Sequence, residues 1–223
     1  MRSPVKCVVR GLAALALICT INLSFASSDL ALIDAASKGD VPSVLRLLDV
    51  GASVKARDAI GRTALVAATD ENRIEVVRVL IAAGGDVNAQ DDVKNSAFLL
   101  AGARGYLSIL RLTIAAGADL TSTNRFGGAA LIPACHYGHV ETVRYLLTTR
   151  IDIDHVNNLG WTALLEAIIL GNGGPAHTEI VRLLVAAGAK VNLGDRQGVT
   201  PLAHAKIAGF RDIQAILSKA GGR

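Results

Sequence analysis

The sequence predicts an all-α solenoid of about six helix-turn-helix repeats with short β-hairpin-like loops, because one residue pattern returns every 33 positions. Leu32, Leu65, Phe98, Leu131 and Leu164 are each 33 apart, and Leu202 follows after 38. Three residues after each stands an alanine: Ala35, Ala68, Ala101, Ala134, Ala167 and Ala205. Gly51, Gly84, Gly117 and Gly188 keep the same spacing, with Arg150 where another glycine is due. A fixed period of roughly 20 to 50 residues marks a stacked array in which each unit buries its apolar face against its neighbours. Such arrays are extended binding surfaces, which directs the functional question toward partners rather than reactions.

The first 26 residues stand apart. Arg2, Lys6 and Arg10 make a basic start, Gly11 to Leu23 is apolar, and Ser24-Phe25-Ala26 supplies small residues at the two positions that a signal peptidase reads. This order predicts a secretory signal peptide over 1–26, cleaved after Ala26. The apolar run is shorter than the roughly 20 residues of a bilayer span, so no membrane association is expected after cleavage. Removing three basic residues and no acid leaves 20 Lys+Arg against 19 Asp+Glu. The mature chain therefore has no general field for nucleic acid. Cys7 and Cys19 leave with the signal, so Cys135 stands alone at a small-residue position and no internal disulfide forms. Residues 27–223 contain no Asn-x-Ser/Thr acceptor, which with the short signal favours a bacterial periplasm.

The unit beginning at Gly61 shows why each element forms. Thr63 precedes Ala64-Leu65 and can accept from the free N–H groups of a short first helix. Leu65 and Ala68 share one face of it. After a break near Glu71-Asn72, Ile74, Val77, Leu80 and Ile81 line a second helix, which Gly84 ends. Asp86 to Val93 is polar and turn-rich. The recurring alanine marks close helix packing, where nothing larger fits.

These landmarks resemble the ankyrin repeat, from about Asp29 to Gly221. The best copies are Gly160-Trp161-Thr162-Ala163-Leu164 with Gly188-Ala189-Lys190-Val191-Asn192, and Gly198-Val199-Thr200-Pro201-Leu202; Gly138-His139 and Gly117-Ala118-Asp119 also fit. The resemblance implies repeats near 29–60, 61–93, 94–126, 127–159, 160–197 and 198–223. Only Pro201 keeps the family's helix-opening proline, and Val66, Leu99, Ile132, Leu165 and Ala203 replace its histidine. The bonds that this histidine supplies between repeats are expected to be absent. Repeat 3 has Lys94 for the usual glycine and Thr113 at an apolar position, so it is expected to be the least regular. Repeat 5 carries five extra residues, expected as a loop over Gly171 to Ala176 before a second helix starting near His177. This loop resembles one in exported bacterial ankyrin proteins.

No residue set argues for catalysis. His136 and His139 lack further metal ligands at suitable spacing. The glycine-rich stretch Gly171 to Pro175 lacks the lysine and Ser/Thr of a phosphate loop. No metal and no cofactor is expected. Arg78, Arg111, Arg144 and Arg182 recur on the second helices, but Glu75, Glu141 and Glu179 precede three of them by three residues, predicting a self-paired, solvated face.

By resemblance, loop tips and inner-helix ends line a concave groove. Phe126, Leu159 and Trp161 with Arg125 at the tips, and Tyr137, Ile169 and Arg104 at the helix ends, are the residues expected to bind a partner. Aromatic and aliphatic groups with arginine are what interface hot spots are made of. The expected function is non-catalytic binding of another protein by a chain that is monomeric alone. Two alternatives are an accessory factor for an oxidative-stress enzyme, handling a cofactor or haem, and a thiol redox protein using Cys135. The latter requires an exposed thiol of low pKa.

Overall fold

The computed structural model describes residues 27–223, so the signal-peptide reading of 1–26, with Cys7 and Cys19, lies outside the described residues. Among the described residues there are twelve helices and no strand. They fall into two compact units that divide between Gly85 and Asp86. The first unit holds α1 (27–38), α2 (Val41–Asp49), α3 (Ala64–Asp70) and α4 (Ile74–Ala82). The second holds α5 (Ala97–Arg104), α6 (Leu107–Ala115), α7 (Leu131–His136), α8 (Val140–Leu146), α9 (Ala163–Ile169), α10 (Pro175–Ala186), α11 (Pro201–Ile207) and α12 (Arg211–Lys219).

In the second unit α5, α7, α9 and α11 pack side by side in chain order, and α6, α8, α10 and α12 form a parallel row against them. The repeated apolar positions make this core. Phe98, Leu131, Leu164 and Leu202 are buried, and Ala101, Ala134, Ala167 and Ala205 are wholly so. The helices approach so closely that a Cβ on Gly102 would lie 2.8 Å from the Ala130 Cβ. In the first unit Leu32, Leu65, Ala35 and Ala68 are buried in the same way.

Helix starts follow the sequence except once. The hydroxyls of Thr63, Ser96, Thr162 and Thr200 accept from the backbone N–H three residues on, at 3.2–3.3 Å. Repeat 4 has Ala129 at that position, and α7 starts late, at Leu131, with six residues and no side-chain cap. The least regular start is therefore in repeat 4 and not in repeat 3. Repeat 3 keeps helices of eight and nine residues. Lys94 takes the left-handed conformation (φ 61°) that glycine has at this point of the other tips. Thr113 is buried without penalty, because its hydroxyl donates to the Leu110 carbonyl at 2.9 Å.

The loops carry no strand ladder among the described residues. Each tip is a turn closed by one side chain. Asp58, Asp91, Asn124, Asn157 and Asp195 each accept at Oδ1 from the N–H groups two and four residues on, at 2.7–3.1 Å. Each also donates its own N–H to the carbonyl four residues on. This is the local side-chain-to-backbone bonding that favours Asp and Asn in turns.

Bonds between repeats survive loss of the family histidine because other side chains make them. His139 Nε2 donates to the Ala103 carbonyl at 3.1 Å, His155 Nε2 to Gly127 at 2.7 Å, and His177 Nε2 to His136 at 2.8 Å. Gln90 Nε2 donates to Thr123 at 2.9 Å. The insertion in repeat 5 is also only partly a loop. Helix α10 begins at Pro175, two residues before the expected start, because proline at the first helical position loses no needed N–H and has its φ preset.

The alanine column yields a stability prediction. Ala134→Leu or Ala167→Leu should overpack a filled interior and cost about 1–3 kcal/mol in urea unfolding. Ala176→Leu, exposed on the first turn of α10, should leave the midpoint nearly unchanged.

Candidate functional site

Tip geometry decides which side chains face outward. With Oδ1 of Asn124 and Asn157 holding the turn, the residue two positions on is lifted into solvent: Phe126 is 53% exposed and Leu159 49%. At the inner-helix ends Tyr137 is 60% and Leu170 42% exposed. These four side chains line one groove of about 980 Å³ in the second unit, which runs from Asn95 to Leu170. Apolar groups gathered on one surface mark an interaction site far better than scattered ones.

The groove is ordered by ring contacts. His136 and Tyr137 stack with centroids 4.2 Å apart at 11°. The Arg125 guanidinium lies over the Phe126 ring, 4.7 Å from its centroid. Of the seven residues expected to bind a partner, Phe126, Tyr137, Leu159, Arg104 and Arg125 line the groove. Trp161 and Ile169 are half-buried and do not line it. Trp161 sits at the closing position of its tip, where its backbone both donates to and accepts from Asn157. Ile169 lies about 100° around α9 from the lining residue Leu170.

Glu166 is the residue that sequence reasoning missed. It lines the groove from α9, yet is only 7% exposed. Asn157 Nδ2 donates to its Oε2 at 3.2 Å, and His136 Nδ1 lies 3.7 Å from its Oε1, beyond hydrogen-bond reach. Burial lifts the Glu166 carboxyl from 4.5 to about 7, with the Asn157 bond acting the other way. Burial, and secondarily His177, hold His136 below the usual imidazole range, so it is a neutral neighbour at pH 7. A signal for Glu166 was present in the repeat register. Leu100 and Pro133 stand 66 and 33 positions earlier and line the same groove, so a carboxylate appears in a column of apolar residues.

Cys135 corrects the thiol redox alternative. It is fully buried, and burial together with the neighbouring Glu166 pushes its thiol well above the usual range. That is the reverse of the exposed, acidic thiol such chemistry needs.

The second-helix arginines are self-paired. Arg144 lies 3.5 Å from Glu141 and 3.3 Å from Glu179, which also pairs with Arg182. Arg111 sits over the Tyr145 ring at 4.9 Å, and in the first unit Arg78 lies 3.5 Å from Glu75. Among the described residues no three His, Cys, Asp or Glu side chains gather as a metal site, and no helix is long and apolar enough to cross a membrane.

Comparison with known proteins agrees with this architecture. A family model for ankyrin repeats (3 copies) matches residues 7–91 and 98–195. An ankyrin repeat domain from Acinetobacter baumannii AYE superposes with a TM-score of 0.84 at 52% identity, covering 86% of this chain and 98% of that one. The ankyrin repeat domain of Bcl-3, described as a unique member of the IkappaB protein family, superposes with a TM-score of 0.78 at 29% identity, covering 86% of each chain. The Escherichia coli (strain K12) protein YahD, named as an ankyrin repeat protein, is 45% identical over 56 residues; the match takes in 25% of this chain and 28% of that relative.

The environment of Glu166 predicts a pH dependence. Its carboxyl binds a proton more tightly folded (about 7) than in its ordinary state (4.5), so its contribution is fully present below pH 4.5 and lost as pH rises through 7. The loss should reach at most about 3 kcal/mol by pH 8–9. Glu166→Gln should remove this component from a pH series of urea midpoints.

Proposed function

Given that this chain belongs to the ankyrin repeat family, we propose that it is a non-catalytic protein-binding module whose partner docks in the groove of repeats 3 to 5. The observation that carries this reading is the gathering of Phe126, Tyr137, Leu159 and Leu170, all more than 40% exposed, along one groove. An exposed apolar cluster of this kind, rimmed by Arg104 and Arg125, has the composition of an interface centre. The second-helix face carries arginines engaged with glutamates or with Tyr145 and no comparable gathering of exposed apolar side chains among the described residues.

The proposed place of action is the bacterial periplasm, after cleavage behind Ala26. The basic, apolar and small-residue order of 1–26 supports it. The family-model match begins at residue 7, inside that segment, so the intact mass of the exported protein is the discriminating measurement. A product beginning at Ser27 is expected, and a species that keeps residues 1–26 overturns the assignment.

Groove and fold should be separable by mutation. Replacing Phe126 and Tyr137 together by alanine should weaken partner binding by at least about 2 kcal/mol. Helix content should survive, because both side chains are exposed and the bonds between repeats near them are made by other groups. Replacing Arg111 and Arg144 by alanine should leave binding within about twofold, because they lie on the second-helix face and do not line the groove. The measurement is retention of crosslink-captured partner beside circular-dichroism melts. Loss of binding in the arginine variant with normal binding in the tip variant overturns the assignment.

A further inference from the structure

Resting on the groove assignment above, we infer that Glu166 forms a cation subsite on the groove floor that receives a lysine side chain of the bound protein. The groove offers two kinds of charge, and they differ in solvation. Arg104 and Arg125 are exposed at the rim, and the Arg125 guanidinium is already laid over Phe126. Their fields are diluted by water. The Glu166 carboxylate is 7% exposed and faces the cavity, so a charge brought to it interacts through a much less polar medium.

That carboxylate is also under-filled. An ionised carboxylate offers about four acceptor sites. Among the contacts of Glu166, one donor is supplied by Asn157, and neutral His136 stands too far off to bond. A cation with several N–H donors completes the set. The walls above it are apolar: Ile132, Leu159 and Leu170 lie on the way in, beside the flat His136–Tyr137 stack. A ligand that suits both is an apolar stem ending in an ammonium group. Lysine is that side chain, with four methylenes to pass the walls and three donors at the tip. A partner without a cation leaves Glu166 to take up a proton, which its burial already favours.

None of the remaining titratable groups around α9 bonds to Glu166. On α7, His136 is held neutral by burial and Cys135 is an unionised thiol. On α10, His177 is engaged with the His136 carbonyl and Asn172. On α11, His204 is paired with Asp195 at 2.8 Å. From the tip, Asn157 carries no charge.

The test uses amino-acid probes on the full chain, followed by NMR. N-acetyl-lysine methylamide presents the stem and ammonium, N-acetyl-norleucine methylamide presents an uncharged stem, and N-acetyl-glutamate methylamide presents the opposite charge. The lysine probe should shift Tyr137 and Leu159 resonances and bind about tenfold more tightly at pH 8 than at pH 6, because Glu166 ionises across that range. The norleucine probe should shift the same resonances but bind no more tightly at pH 8 than at pH 6, since an uncharged end favours the protonated carboxyl. Glu166→Gln should weaken the lysine probe about tenfold at pH 8. The variant's unchanged response to norleucine serves as proof of an intact groove. Equal binding of lysine and norleucine, or a lysine preference that survives Glu166→Gln, overturns the subsite and leaves the groove standing. Preference for the glutamate probe assigns recognition to the rim arginines and also overturns it. Silence from all three probes overturns it as well, and the Phe126/Tyr137 partner assay then decides separately whether the groove binds protein.

Discussion

The structure depends on one small interaction repeated along the chain: a side-chain oxygen of Asp or Asn closing each loop tip. Asp58, Asp91, Asn124, Asn157 and Asp195 hold their turns with two backbone N–H groups each. The N–H groups four residues on are part-buried, and each such bond contributes about 0.5–1.5 kcal/mol net. The same bonds decide what the tip displays. A residue two positions past the closing side chain has no interior to enter, so Ile60, Val93, Phe126 and Leu159 are all exposed. In most loops a large apolar residue in that position would be a liability. In the second unit, Phe126 and Leu159 become two walls of one groove.

Asn157 connects this scaffold to the chemistry of the site. Its oxygen closes the fourth tip and its amide nitrogen donates to Glu166. One buried side chain therefore sets both the wall residue Leu159 and the acid on the floor. Fold and site meet at that carboxamide. Removing it would disturb both at once, which makes Glu166 the cleaner position from which to probe function.

The helices and their stacking were legible in the chain because the 33-residue register is a packing constraint repeated six times. Leucine and alanine at fixed spacing admit few other structures. The tips were legible as turns, but not as turns closed by a side chain instead of a strand pair, since Asp and Asn are compatible with either. Thr113 misled for a similar reason: a threonine in a helix can bond back to its own backbone, and that makes it an acceptable core residue. The site was half legible. Tip and helix-end positions identify Phe126, Tyr137 and Leu159 from register alone. Trp161 is half-buried outside the groove because its position closes the turn, a distinction that register does not carry. Glu166 was passed over because a lone acid among surface carboxylates carries no spacing signal; only the comparison with Leu100 and Pro133 at the same register reveals it.

The partner is expected to meet the groove and not the second-helix face. Amide hydrogen exchange on the second unit, with and without the crosslink-captured partner, tests that most directly. Added protection should fall on 124–137 and 157–170, the two stretches that carry the tips and inner helices of repeats 4 and 5. Protection that instead falls on α6, α8 and α10, around Arg111, Arg144 and Arg182, would contradict the account.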